Sequence, residues 1–254
     1  IDTAGVGPVG SLMAIIPNVW LEAPRSTLVI CFGAGNTFRT ASLLGGEVDA
    51  VDLVPALFRR MRHFYNDADE HLAKHRLHAE DGRRVLLKSR RAWDVIIVDA
   101  TPPLFSAGAV NLYTRELFEL AKSRLEPGGI LALWLPLPGF EEDYWRILSA
   151  YTAVFPHAAT WRWGTMGGFL VLGSDRPLER SKAVIAGRLE RRTKTVARGL
   201  TADMILDHFL LSGPALRERA AKWPPLTDDK PVVEFPLPRF LAGHPLRPDA
   251  DFLK

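Results

Sequence analysis

Cysteine is almost missing from this sequence: Cys31 is the single one in 254 residues. An internal disulfide is excluded, and a reducing, cytoplasmic compartment is the expectation. Cys31 sits in an apolar, strand-like run, which predicts a buried and inert thiol. No run approaches the roughly 20 apolar residues of a membrane helix, and no signal peptide is recognisable. A charge excess is lacking too: 32 Lys and Arg face 29 Asp and Glu, a net +3. The basic run from Arg188 to Arg198 reads as a solvated helix face, so no nucleic-acid partner is expected. The seven His residues show no convincing ligand spacing. His71 and His75 are four apart but lack an H-E-x-x-H context, so no metal site is expected. There is no internal repeat. The chain opens at Ile1 without an initiator Met, which predicts a processed or longer parent.

What is present is alternation. "TLVICF" (Thr27 to Phe32) reads as a buried strand, followed by a helix from about Thr37 to Leu44. "EVDAVDL" supplies a second strand, and Pro55 suits the first turn of a helix reaching about Asn66. "HRLHAED" is a short third strand, and "WDVIIVDA" (Trp93 to Ala100) is the strongest strand signal. Helical spacing at Leu112, Leu117, Leu120, Ala121 and Leu125 ends in Pro-Gly-Gly, and "ILALWLPL" forms a fifth strand. A helix from Glu141 to Val154 precedes "AATWRW" and "GGFLVLGS", whose short "GTMG" link predicts an antiparallel hairpin at the sheet edge.

Near-continuous apolar strands separated by helices predict a mostly parallel sheet covered on both faces. The expected class is α/β: a Rossmann-like, class I methyltransferase-type doubly wound sheet of seven strands with an antiparallel edge hairpin. Residues 1–24 read as a lead-in segment and 25–175 as the nucleoside-binding domain. Residues 176–254 read as a helical, then Pro-rich extension packed on that domain.

Ligands of such sheets sit outside the carboxyl ends of the central strands. Gly33 and Gly35 follow strand one in a G-x-G-x-T loop with Asn36 and Thr37, where missing side chains allow backbone contact. The pyrophosphate fingerprint G-x-G-x-x-G is not met, and no Walker lysine is present. Asp52, beside Leu53, closes strand two, where a carboxylate accepts from ribose hydroxyls. Asp81-Gly82 follows strand three and reads either as an adenine contact or as a helix N-cap, with Glu80 as a neighbouring carboxylate. Asp99, before Ala100, ends strand four at the rim of the core, where a carboxyl pKa is tuned. Three acids around a glycine loop suit a nucleoside without phosphates, and an adenosyl sulfonium fits best. Thr101, Pro102 and Tyr113 border the acceptor side; helix packing is the competing reading for Tyr113. The stretch from Pro103 to Thr114 reads as a loop over the pocket, and Trp134, Trp145 and Trp161 read as core.

"LVICFGAGNTFRTASLL", "VDAVDLVPALF", "AEDGRRVLLKSRRAWDVIIVDA", "NLYTRELFELAKSRLEPGGILALWLPL" and "LTDDKPVVEFPLPR" resemble the spermidine synthases, the polyamine aminopropyltransferases. The likeness covers roughly Leu12 to Arg239 and is nearest to bacterial members often fused behind membrane helices. It implies aminopropyl transfer from decarboxylated S-adenosylmethionine to an amine, with methylthioadenosine released and no tightly bound cofactor. By the family's pattern Asp52 holds the ribose, Asp81 the adenine, and Asp99 is the catalytic acid residue. Asn36 stands where the family's loop carries an Asp, and Pro102 stands at the second Asp of its D-x-x-D-P pattern. The resemblance implies a polyamine acceptor, a homodimer and a membrane-tethered upstream segment. Asp228-Asp229 of "LTDDKP" read as structural. A methyltransferase, a methylthioadenosine-forming lyase using S-adenosylmethionine, and a non-catalytic nucleoside-binding domain remain alternatives.

Overall fold

The computed structural model describes residues 3–100, 108–162, 168–178, 181–192, 196, 199–247 and 250–253, with side chains from Ser11 onward. Eight strands form one sheet in the order β3-β2-β1-β4-β5-β7-β6-β8. They are β1 (Ser26–Ile30), β2 (Glu47–Asp52), β3 (Arg76–Ala79), β4 (Trp93–Val98), β5 (Leu125–Pro136), β6 (His157–Arg162), β7 (Gly168–Ser174) and β8 (Phe209–Ser212). The first five run parallel, and β7 pairs antiparallel with both β5 and β6.

Side-chain alternation explains why the strands read as unbroken apolar runs. In β1, Leu28 and Ile30 face one core layer while Val29 faces the other; in β4, Ile96 and Val98 oppose Val95 and Ile97 in the same way. A parallel strand covered on both faces has no wet side to carry polar residues. One layer receives α5 (Gly82–Lys88), α6 (Arg115–Lys122), α7 (Glu141–Val154) and α10 (Gly213–Ala220). The opposite layer receives α1 (Thr3–Trp20), α2 (Asn36–Leu44), α8 (Lys182–Arg192) and α9 (Ala202–Asp207).

Several expectations change. The sheet has eight strands rather than seven, because β8 pairs antiparallel with β6 from a region read as helical. The β6/β7 hairpin is therefore not the edge, and the "GTMG" link lies outside the described residues. The lead-in contains α1, whose Met13 to Ile16, Val19 and Trp20 are buried. Its apolar residues run too continuously to betray a single helical stripe. The helix expected to reach Asn66 stops as α3 (Ala56–Arg60) and tightens into a 3-10 turn, Met61–His63; α4 (Ala68–Lys74) then starts separately. Pro127, Gly128 and Gly129 lie within β5 rather than ending a helix. Pairing with β4 holds both flanks of that stretch, and the shift of register after Trp93 absorbs it.

Candidate nucleoside site at the carboxyl edge

Register brings the predicted residues together. Ile30 pairs with Val51 on one side and Val98 on the other, so the next residues, Cys31, Asp52 and Asp99, emerge together at the carboxyl edge. Asp52 pairs with Ala79, which sets Glu80 and Asp81 beyond the same edge. The chain then turns sharply. Cys31 adopts a left-handed φ of 71°, and the amides of Cys31 and Phe32 both donate to the Val51 carbonyl, at 3.0 and 3.1 Å.

Gly33 and Gly35 continue the turn with φ of 55° and 86°. A Cβ on Gly35 would fall 2.9 Å from the Met61 side chain and the Phe32 ring, whereas a Cβ on Gly33 would meet nothing within 4 Å. Gly35 therefore serves the fold, and Gly33 leaves space in front of the loop. Asp52 stabilises this loop: its carboxylate accepts from Gly33 N at 3.2 Å and Val54 N at 2.9 Å. Leu53 projects outward, 70% exposed.

Asp81 realises the capping alternative, accepting from Arg84 N at 2.9 Å at the start of α5. Gly82 is buried where α5 meets β1, with room for no Cβ: one would lie 2.4 Å from Ile30 Cγ2. Glu80 is engaged by Lys88 Nζ at 2.6 Å and Arg84 Nε at 2.7 Å. Asn36 Oδ1 lies 3.5 Å from Ser11 Oγ of α1.

Asp99 is half-buried. Its backbone amide donates to Ile30 O at 3.0 Å, and its Oδ2 accepts from Thr37 Oγ1 at 2.7 Å. Burial raises its carboxyl pKa, and the Thr37 hydrogen bond works in the opposite direction. The neighbouring Cys31 thiol is half-buried rather than fully buried. Its pKa is pushed up to about 12, first by burial and then by Asp99, Asp52 and Asp81. All three acids act on that one sulfur, which remains a thiol at neutral pH.

Ala100 is buried and its carbonyl accepts from the Tyr113 hydroxyl at 3.1 Å. Tyr113 is fully buried, so its packing reading holds, yet Asp99 also acts on its hydroxyl. Thr101 and Pro102 lie outside the described residues, as does the loop from Pro103 to Ala107. Asp228 pairs with Arg83 of α5, and Asp229 accepts from Thr227 Oγ1 at 2.6 Å, so both acids are structural. Sequence reasoning missed Thr37 as the partner of Asp99, since nothing in a linear sequence marks a hydroxyl 62 positions away as a contact.

A profile of the spermine/spermidine synthase domain matches residues 9–160. The chain is 33% identical over 122 residues to polyamine aminopropyltransferase 2 of Pseudomonas aeruginosa, covering 44% of this chain and 34% of that protein. It thus spans about a third of that relative's length. With polyamine aminopropyltransferase 2 of Hyperthermus butylicus the identity is 27% over 229 residues, covering 83% of this chain and 73% of the relative. Among solved structures, a spermidine synthase in complex with the transition state analogue AdoDATO superposes with a TM-score of 0.71 at 15% identity. That match covers 85% of this chain and 75% of the other.

Proposed function

This chain belongs to the spermine/spermidine synthase domain family, and on that premise we propose that it transfers an aminopropyl group from decarboxylated S-adenosylmethionine to an amine acceptor. The observation that carries the reading is Asp99 at the carboxyl end of β4, half-buried and held by Thr37 beside the glycine loop. The solved relative's complex with AdoDATO supports the donor class.

In the reaction the neutral acceptor nitrogen attacks the propyl carbon bonded to the sulfonium. An N–C bond forms and the C–S bond breaks, with its electron pair passing to sulfur, so methylthioadenosine leaves as a neutral thioether. The proton lost by the acceptor nitrogen goes to Asp99. Thr37 occupies one carboxylate oxygen, and the other receives this proton. A carboxyl pKa raised by burial makes Asp99 a stronger base than a solvated aspartate. Asp52 retains lone pairs for ribose hydroxyls beyond its two backbone donors, and Asp81 retains them for the adenine amine. Gly33, Asn36, Thr37 and Leu53 are assigned to the nucleoside, while Gly35 and Gly82 act through the packing of the loop and of α5.

A second reading rests on Asn36 and Pro102, neutral where the family pattern carries acids. With no acceptor amine held, the donor's own chain displaces methylthioadenosine, which is a lyase reaction. Product analysis by mass spectrometry separates the two. The protein is incubated with decarboxylated or intact S-adenosylmethionine, each with and without putrescine. Methylthioadenosine together with spermidine is expected. Methylthioadenosine without a diamine identifies the lyase, and S-adenosylhomocysteine identifies a methyltransferase. Asp99→Asn is expected to lower turnover about 10²–10⁴-fold while methylthioadenosine binding persists; undiminished turnover removes Asp99 from the chemistry.

A further inference from the structure

One buried carboxylate plays no part in the nucleoside site. Asp143, in the first turn of α7, is 8% exposed. It lines a small cavity of about 30 Å³ with Tyr113, Phe140, Tyr144 and Val233, at the ends of β5 and α7. Tyr113 is the wall shared with the donor side: its hydroxyl bonds to Ala100 O, next to Asp99, while its ring lines this cavity. The cavity and Asp99 therefore occupy adjacent positions along the carboxyl edge, above β5 and β4.

A cation already fills the carboxylate. Arg239 of α11 (Leu237–Leu241) approaches Asp143 with both Nη atoms, at 2.6 and 2.8 Å, and its guanidinium lies 4.5 Å from the centre of the Phe140 ring. A carboxylate beside an aromatic face is the chemistry of an organic-cation site. The segment carrying Arg239 is weakly fastened otherwise. Phe235, Leu237, Phe240 and Leu241 are 56–75% exposed and bury little apolar surface. Before it, Val233 is buried and Glu234 accepts from Gly108 N at 3.0 Å. After it, Arg247 bridges to Gly139. A short stretch held at its ends and pinned in the middle by one ion pair is built to open locally.

We propose that Asp143 and the Phe140 ring form a subsite for the distal ammonium of a diamine or polyamine acceptor, and that Arg239 occupies this subsite until the acceptor displaces it. The inference rests on the aminopropyl-transfer reading for its choice of ligand. It supplies a carboxylate for the acceptor that neither Asn36 nor Pro102 provides. A buried carboxylate left alone is strongly disfavoured, so a cation is the ligand suited to take the place of Arg239.

The test uses putrescine on the protein saturated with methylthioadenosine, read by calorimetry and by tryptic cleavage after Arg239. Putrescine is expected to speed that cleavage, whereas butylamine, which lacks a second ammonium, leaves it unchanged. Arg239→Met is expected to tighten putrescine binding about tenfold by removing the competitor. Asp143→Asn is expected to weaken it about tenfold or more and, in the double variant, to abolish the gain from R239M. Methylthioadenosine affinity stays constant throughout, which also reports that the variants are folded. Unchanged putrescine affinity in R239M together with unaltered cleavage overturns the proposal. If no aminopropyl transfer is detected but these binding effects appear, the function reading fails alone; spermidine formation with an unchanged putrescine KM in D143N sinks the subsite alone.

Discussion

The Thr37 hydroxyl donates to Asp99 Oδ2 across 2.7 Å, joining the first turn of α2 to the end of β4. This bond favours the charged carboxylate and opposes burial, which favours the protonated form. Thr37→Val removes this stabilising partner, so the Asp99 pKa should rise further. The acidic limb of the pH profile of kcat/KM for methylthioadenosine release should then move to higher pH. A limb that stays in place or moves downward means that Asp99 is not the group titrating in the profile.

Gly82 is a matter of space rather than of backbone freedom. A Cβ there would sit 2.4 Å from Ile30 Cγ2, against a branched side chain that is buried in the core and has nowhere to go. Gly82→Ala should destabilise the protein by about 1–3 kcal/mol in urea denaturation. Because α5 must shift, Asp81 shifts with it, and methylthioadenosine affinity should fall in calorimetry. Wild-type stability in G82A contradicts the packing argument.

Ser42 lies between two imidazoles, 2.7 Å from His71 Nδ1 and 2.5 Å from His75 Nε2. Val48 N donates to His75 Nδ1 at 3.2 Å, which puts the neutral ring's proton on Nε2, pointing at Ser42. Burial, then Lys74 and His71, lower the His75 pKa from its usual 6.5. Below about pH 6.5 the unfolded chain binds a proton that the folded chain resists, so stability falls as pH drops through that value and continues to fall toward the lower folded pKa. The effect of Asp67, whose pKa is held at about 2 by Arg39, belongs to a more acid window, below the usual 3.8. Thermal melts should show a Tm that is level above about pH 6.5 and declines below it, and His75→Gln should flatten the decline between pH 6.5 and 5. An identical slope in H75Q assigns the effect elsewhere.

Arg188 and Arg192 close the end of α1. Arg188 Nη1 donates to Trp20 O at 2.5 Å, and Arg192 Nη1 donates to Asn18 O at 2.7 Å and Leu21 O at 3.2 Å. Charged donors on terminal carbonyls satisfy groups that a helix cannot satisfy itself. Replacing both arginines with Met should cost about 1–3 kcal/mol in urea denaturation. A loss near zero would mean that solvent serves these carbonyls equally well.

The geometry of the candidate site was legible where its signals are local. The G-x-G loop after "TLVICF", the acids closing β2 and β4, and Asp81-Gly82 after β3 each follow directly from a strand end, and a parallel sheet aligns strand ends by register. The Arg run was read as a solvated face, but two of its members serve α1, 168 and 174 positions away. Strand β8 was missed because four residues, all half-buried, carry too little alternation to register as a strand. The core role of α1 was missed because a helix packed over most of its surface loses its stripe.

By itself the sequence determined the α/β alternation, the two-faced burial of the central strands and the places where carboxylates meet the sheet edge. Those features arise from spacing within one element, where side-chain period and chain direction leave little choice. Only the tertiary structure decided that Thr37 holds Asp99, that Gly82 must lack a side chain because of Ile30, and that Arg239 sits on Asp143 beside Tyr113. These contacts join residues distant in the chain. Their partners are chosen by how the layers pack, and no local pattern encodes that choice.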